Sequence, residues 1–194
     1  MTAIALPVRD RARGTAWWGM MSLIATEAMI FAGLLGSYFF TQAASKQWPQ
    51  GGIAPPELSR ISVFTVVLLA SSLPIIWAES GIRQGRVGRV RVGLVLSFLL
   101  GAAFLINQGL EYHDLPFGPR DNAYASLFWG ITGLHGLHVL IGLLMNLLVQ
   151  AKASLGRITE ERHVTLTVFG MYWHFVDVVW IFVFSSLYLS PHIK

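Results

Sequence analysis

Five stretches of the chain, at 17–40, 61–79, 91–111, 123–151 and 164–189, are apolar over the length an α-helix needs to cross a bilayer core, about 20 residues. No other feature restricts the fold as strongly. In hydrocarbon every backbone N–H and C=O must find its partner inside the chain, and a helix does this within each span. Composition agrees: 12% of residues are charged, against about 25% in ordinary soluble domains. The expected fold is all-α, a polytopic membrane bundle of five transmembrane helices forming one domain over 1–194. Pro74 falls late in the second span and is expected to kink it or fray its end.

The connectors are short. The segment 41–60 carries Pro49, Gly51, Gly52, Pro55 and Pro56 and reads as an irregular loop. Lysine and arginine set the orientation. Arg9, Arg11, Arg13, Arg83, Arg86, Arg89, Arg91, Lys152, Arg157 and Arg162 fall on one side. Lys46, Arg60, Arg120 and Lys194 fall on the other. The N-terminus is therefore expected in the cytoplasm and the C-terminus outside. The net charge of +4 follows from this topology and calls for no nucleic acid. It would also attract anionic headgroups. With no cysteine, disulfides, thiolate metal sites and cysteine nucleophiles are excluded. A signal peptide is not expected, because the first apolar run is long and no small-residue cleavage site follows a short core.

A few ionisable residues interrupt the apolar runs. Glu27 lies near the middle of the first span, where an isolated carboxylate is severely desolvated. It is expected to be protonated or hydrogen-bonded within the protein. Its role is then a proton relay, a lipid-headgroup contact or a packing acid. His135 and His138, three residues apart, are expected on one face of the fourth span. His174 and Asp177 have the same spacing in the fifth, inside Tyr172-Trp173-His174-Phe175-Val176-Asp177-Val178-Val179-Trp180. A central Asp costs about 2.5–3.5 kcal/mol on insertion scales, so it should face the interior and hold a partner. His174 and Asp177 are expected to bond each other or the fourth span. The four residues together would also make a metal site of imidazole and carboxylate ligands, but interhelical hydrogen bonding is favoured. Gly130, Gly133, Gly136 and Gly142 argue for close helix approach there. Glu79 and Glu111 sit at span ends, where water or headgroups solvate them. Trp17, Trp18, Trp48 and Trp129 suit interfacial belts. Trp180 is too deep for one and should pack on another helix or subunit.

Three stretches carry a family resemblance. They are Ala25-Thr26-Glu27-Ala28-Met29-Ile30-Phe31, then 132–142 as Thr-Gly-Leu-His-Gly-Leu-His-Val-Leu-Ile-Gly, then the nonapeptide at 172–180. Glu111-Tyr112 and Tyr124-Ala125-Ser126-Leu127-Phe128 add to them. In order and spacing they resemble subunit III of the haem–copper respiratory oxidases (cytochrome c oxidase) over about residues 15–190, in the five-span bacterial form. Larger members have seven spans, with a lipid-filled cleft between the first two helices and the other five. This chain corresponds to the last five, so lipid or another subunit would have to cover the exposed face.

The resemblance implies a subunit without haem or copper of its own, those cofactors lying in partner subunits. It implies bound phospholipid, subunit I as the main contact beside other oxidase subunits, and support for proton uptake and oxygen access. No catalytic residue is expected in this chain. Glu27 matches the family's intramembrane acid and His138 a residue near a lipid headgroup. Lys152 matches a basic headgroup contact, and Arg157 is placed similarly by location alone. The lipid-binding or intramembrane polar set is thus Glu27, His135, His138, Lys152, His174 and Asp177, with no metal ligand among them. The expected function is a non-catalytic subunit of a proton-pumping terminal oxidase in the bacterial plasma membrane. A quinol oxidase subunit or a relative associated with nitric oxide reductase is the alternative within the family. A free-standing metal-dependent membrane enzyme is the alternative outside it.

Overall fold

A computed structural model describes residues 14–54 and 57–192. Arg9, Arg11, Arg13, Pro55, Pro56 and Lys194, which enter the orientation and loop readings, lie outside the described residues. The described residues form helices and no strand: α1 (Thr15–Ala44), α2 (Leu58–Ala70), α3 (Ser72–Ile82), α4 (Val87–Asp114), α5 (Ala123–Ser154) and α6 (Val164–Phe184). A π-helical turn, Ser185–Leu189, and a 3₁₀ turn, Ser190–His192, prolong α6. With α2 and α3 taken together, five helices are long and apolar enough to cross a membrane. The expected all-α bundle of five spans is what the chain forms.

The second span divides at Ser71 into α2 and α3. Pro74 explains the position. It has no N–H to give to Ala70 one turn earlier, and its ring crowds that carbonyl. Ser71 adapts by placing its N–H on Val67 and Leu68, at 3.1 and 3.0 Å, and its hydroxyl on the Leu68 carbonyl at 2.6 Å. The helices also run past the expected ends. The first span reaches Ala44 and the fourth, α5, Ser154, because polar residues such as Gln42 and Lys152 continue a helix about as readily as leucine does.

The core lies between α4, α5 and α6. On α6, Leu166, Phe169, Trp173, Trp180 and Val183 are all fully buried. Trp173 is the wedge. A Cβ on Gly101 of α4 or on Gly142 of α5 would come within 2.7 Å of its indole. The two glycines form the slot the ring fills. At Gly93, a Cβ would lie 2.4 Å from the Pro74 carbonyl, so α3 and α4 pack backbone to backbone. Of the other α5 glycines, Gly133 and Gly136 meet neighbours only at 3.4 and 3.8 Å, and Gly130 meets nothing within 4 Å. The close approach expected along this glycine row is thus confined to Gly142, where the tryptophan enters.

The helix α1 is the least embedded. Met20, Phe31 and Tyr38 are its buried residues, while Trp18, Met29, Ile30 and Phe40 are among its exposed apolar ones. It packs on α5 and α6 along one side. Trp48 and Trp129 give their indole N–H groups to the Tyr38 hydroxyl at 3.1 Å and the Phe117 carbonyl at 3.2 Å.

Candidate functional site

The nonapeptide of α6 faces the hydroxyls of the second span. Trp173 Nε1 donates to Ser71 Oγ at 2.8 Å, and Trp180 Nε1 donates to Thr65 Oγ1 at 3.0 Å. Between them Ser72 Oγ donates to Asp177 Oδ2 and lies 2.9 Å from His174 Nδ1. A hydroxyl has one proton. With that proton on Asp177, His174 must supply the Nδ1–H that the serine oxygen accepts. The direction therefore runs imidazole to hydroxyl to carboxyl. The expectation that His174 and Asp177 bond each other or the fourth span is corrected: their shared partner is Ser72 of α3. Helical spacing puts both on one face, and the break at Ser71 turns the serine toward that face.

The second polar contact joins α1 to α5. His138 Nε2 lies 3.2 Å from Glu27 Oε2, and its Nδ1 lies 2.8 Å from the Leu134 carbonyl. A carbonyl only accepts, so Nδ1 carries a proton. Nε2 and Oε2 then share one more. Either a carboxylic acid donates to a neutral imidazole, or an imidazolium donates to a carboxylate. In both states the pair has no net charge, which is how an acid persists at this depth. Phe31 packs edge-on to the His138 ring at 5.2 Å, and Tyr172 stacks beside it while its hydroxyl donates to the His138 carbonyl at 3.1 Å. Glu27 nevertheless keeps a quarter of its side chain exposed (25%) on the sparsely covered helix.

His135 does not join this contact. It is fully buried, its ring 4.6 Å from Trp180 and 6.0 Å from Phe104, with no hydrogen bond at either nitrogen. A separation of three residues leaves about 60° between side chains, enough here to aim His138 at α1 and His135 at α4 and α6. The expectation of one shared face is therefore corrected. The four residues weighed as metal ligands divide into three places: His135 on Trp180, His138 on Glu27, His174 and Asp177 on Ser72. Among the described residues no group of three or more histidines and carboxylates is placed to hold a metal ion.

Lys152 sits in the last turn of α5, exposed, with Nζ 3.3 Å from Thr165 Oγ1. It is far along the helix from His138. The acids at the span ends are less solvated than expected. Glu79 lies so close to α6 that a Cβ on Gly170 would be 2.5 Å from its Oε1. Glu111 buries Oε2 without a hydrogen-bond partner, because α4 runs on to Asp114 and leaves Glu111 a turn inside the helix. Sequence reasoning passed over Thr65, Ser71 and Ser72. Their signal was available: hydroxyls in an otherwise apolar span, two of them just before a proline.

The sequence also matches known proteins over nearly its whole length. Residues 10–191 match the family model described as cytochrome c oxidase subunit III. The chain is 36% identical over 179 residues to cytochrome c oxidase subunit 3 of Arabidopsis thaliana, covering 88% of this chain and 67% of that one. It is 34% identical over 177 residues to the Scyliorhinus canicula protein of the same name, covering 88% and 68%. Against that of Latimeria chalumnae it is 33% identical over 189 residues, covering 94% and 71%. With nearly its whole length matched, and with Glu27, His138, His174 and Asp177 each held by a polar contact inside a five-span bundle, the chain belongs to the cytochrome c oxidase subunit III family.

Proposed function

We propose that this chain is the non-catalytic subunit III of a bacterial terminal oxidase that reduces oxygen to water. It binds phospholipid and steadies the haem–copper subunit I together with that subunit's proton and oxygen access. Family membership makes the chain part of an oxidase complex and implies other oxidase subunits beside it. One observation carries the finer reading: the charge-neutral Glu27–His138 pair lies on the lightly covered helix α1. An acid held in this way is suited to meet lipid at the edge of the bundle. A reaction centre would instead need converging groups in an enclosed cleft. Haem and copper belong to partner subunits in this reading. The basic surplus at the α3–α4 turn and the α5–α6 loop supports a cytoplasmic position for that end of the bundle.

Removal of the chain from the purified oxidase tests the role. The haem absorption spectrum should persist, while oxygen consumption should decline during sustained turnover faster than in the complete complex. A depleted complex that keeps full activity and endurance would refute it. The exposure of Glu27 gives a second expected result. A hydrophobic carbodiimide, which enters from the lipid and attacks a carboxylic acid, should modify Glu27 ahead of Glu79 and Glu111. Glu27→Gln should abolish that modification. Reaction at Glu79 and Glu111 with Glu27 untouched would contradict the lipid-facing placement.

A further inference from the structure

The exposed face of α6 carries an open polar group. His174, Val178 and Phe182 recur at four-residue spacing and share that face. Val178 and Phe182 are 51% and 61% exposed, and His174 is half-buried. On α3, Ile76 lies one turn on from Ser72 and is 52% exposed, which widens the face across the neighbouring helix. His174 lies about 15 Å along α6 from Val164, at 1.5 Å per residue. That is roughly the middle of a hydrocarbon core about 30 Å thick. The Nδ1–H of His174 is committed to Ser72 Oγ, whose own proton goes to Asp177. Nε2 makes no hydrogen bond among the described residues. In a neutral imidazole protonated on Nδ1, that nitrogen is a bare acceptor.

A bare acceptor at this depth is costly, because the surrounding acyl chains offer no donor and water is excluded. Its neighbours on the face, Ile76, Val178 and Phe182, are apolar and offer none either. The complement of such a surface is an apolar helix that carries a single donor. A second copy of this chain fits badly. Across a two-fold axis the face meets itself, and one bare acceptor then opposes another. Family membership instead places other oxidase subunits beside the chain. A transmembrane helix with a hydroxyl, side-chain amide or indole N–H at the matching level supplies the donor. Bonds of this kind between helices are a recurrent means of association in membranes.

We propose that this face of α3 and α6, on residues separate from Glu27 and His138, docks a transmembrane helix of another oxidase subunit that donates a hydrogen bond to His174 Nε2. The inference rests on the oxidase reading above and adds the docking face and its chemistry. The purified oxidase would be titrated with detergent, and release of this chain from the haem-containing chains followed by native mass spectrometry. His174→Asn keeps a donor near the Nδ1 position for Ser72 and has no acceptor at the Nε2 position, whereas His174→Gln keeps an acceptor there. His174→Asn should raise the ratio of released to bound chain about threefold to tenfold, the weight of one interhelical hydrogen bond. His174→Gln should stay nearer the parent, and both should leave carbodiimide modification of Glu27 unchanged. In membranes, a photo-crosslinking benzoylphenylalanine in place of Val178 should join this chain to another oxidase subunit. Release unchanged by His174→Asn, or raised equally by both substitutions, would overturn the hydrogen bond. Adducts from position 178 to lipid alone, or to a second copy, would overturn the docking face even while haem-containing chains co-purify. Absence of any co-purifying oxidase chain would overturn the oxidase reading and this proposal with it.

Discussion

Replacement of Trp173 by alanine should destabilise the bundle by about 3–5 kcal/mol, the range for deleting a large buried aromatic. The ring fills the slot between Gly101 and Gly142 and holds Ser71 through its N–H. Its removal therefore opens a cavity on α4 and α5 and takes from Ser71 the indole N–H it accepts, leaving only its bond to the Leu68 carbonyl. The measurement is loss of helical circular dichroism during titration of detergent-solubilised protein with sodium dodecyl sulfate. The converse change tests the same slot. Gly142→Val should cost about 1–3 kcal/mol, as overpacking does, because even its Cβ would stand 2.7 Å from the indole. In the Trp173→Ala background that cost should vanish or reverse, since the valine then enters vacated space. Additive effects in the double variant would show that the ring does not fill this slot.

The second large effect centres on Ser72. Ser72→Ala removes one hydroxyl but disconnects two ionisable side chains, His174 and Asp177, from α3. Asp177 is 6% exposed, and its Oδ1 already lacks a partner. A buried polar group left unsatisfied costs about 1–3 kcal/mol, more if charged. The loss should lie at or above the top of that range. Ser72→Thr, which keeps the hydroxyl, should recover most of it. Ser72→Ala combined with Asp177→Leu should be more stable than Ser72→Ala alone, because the apolar pair leaves no orphaned carboxyl. A Ser72→Ala variant as stable as the parent would remove Ser72 as the anchor of the last helix.

These two sites show what could and could not be read from the sequence. The spans were legible because lipid imposes one rule on all of them: long apolar runs, with most of the charge in the connectors and at the ends. Pro74 announced the break in the second span for a local, steric reason. Glu27 and Asp177 were legible as partnered groups because a lone carboxylate at that depth is too costly. Their partners were not. Ser72 in an apolar helix resembles any small residue whose hydroxyl bonds its own backbone, as Ser37 does with the Gly33 carbonyl at 2.9 Å. Only the packing of α3 on α6 brings it to His174 and Asp177. His135 and His138 misled for a related reason. Their spacing is compatible with one shared ligand, but the neighbours that surround each ring decide where it points. The bond from Arg60 Nε to Asn107 Oδ1, at 2.7 Å, likewise had no sequence signal, since it joins two different helices.

The polar contacts also impose an order on how this protein is made. Thr65, Ser71 and Ser72 enter the membrane early, yet their partners lie more than a hundred residues later: 102 positions from Ser71 to Trp173, and 115 from Thr65 to Trp180. Glu27 waits through 111 positions for His138. During synthesis the early spans are therefore threaded into lipid with their polar groups unmatched, and the final helix closes most of these gaps at once. A ribosome that stops before residue 164 releases a product with four inserted spans and with Thr65, Ser71 and Ser72 unmatched to α6, an expected substrate for membrane proteases. For this fold, the helix that starts at Val164 determines whether the earlier spans survive.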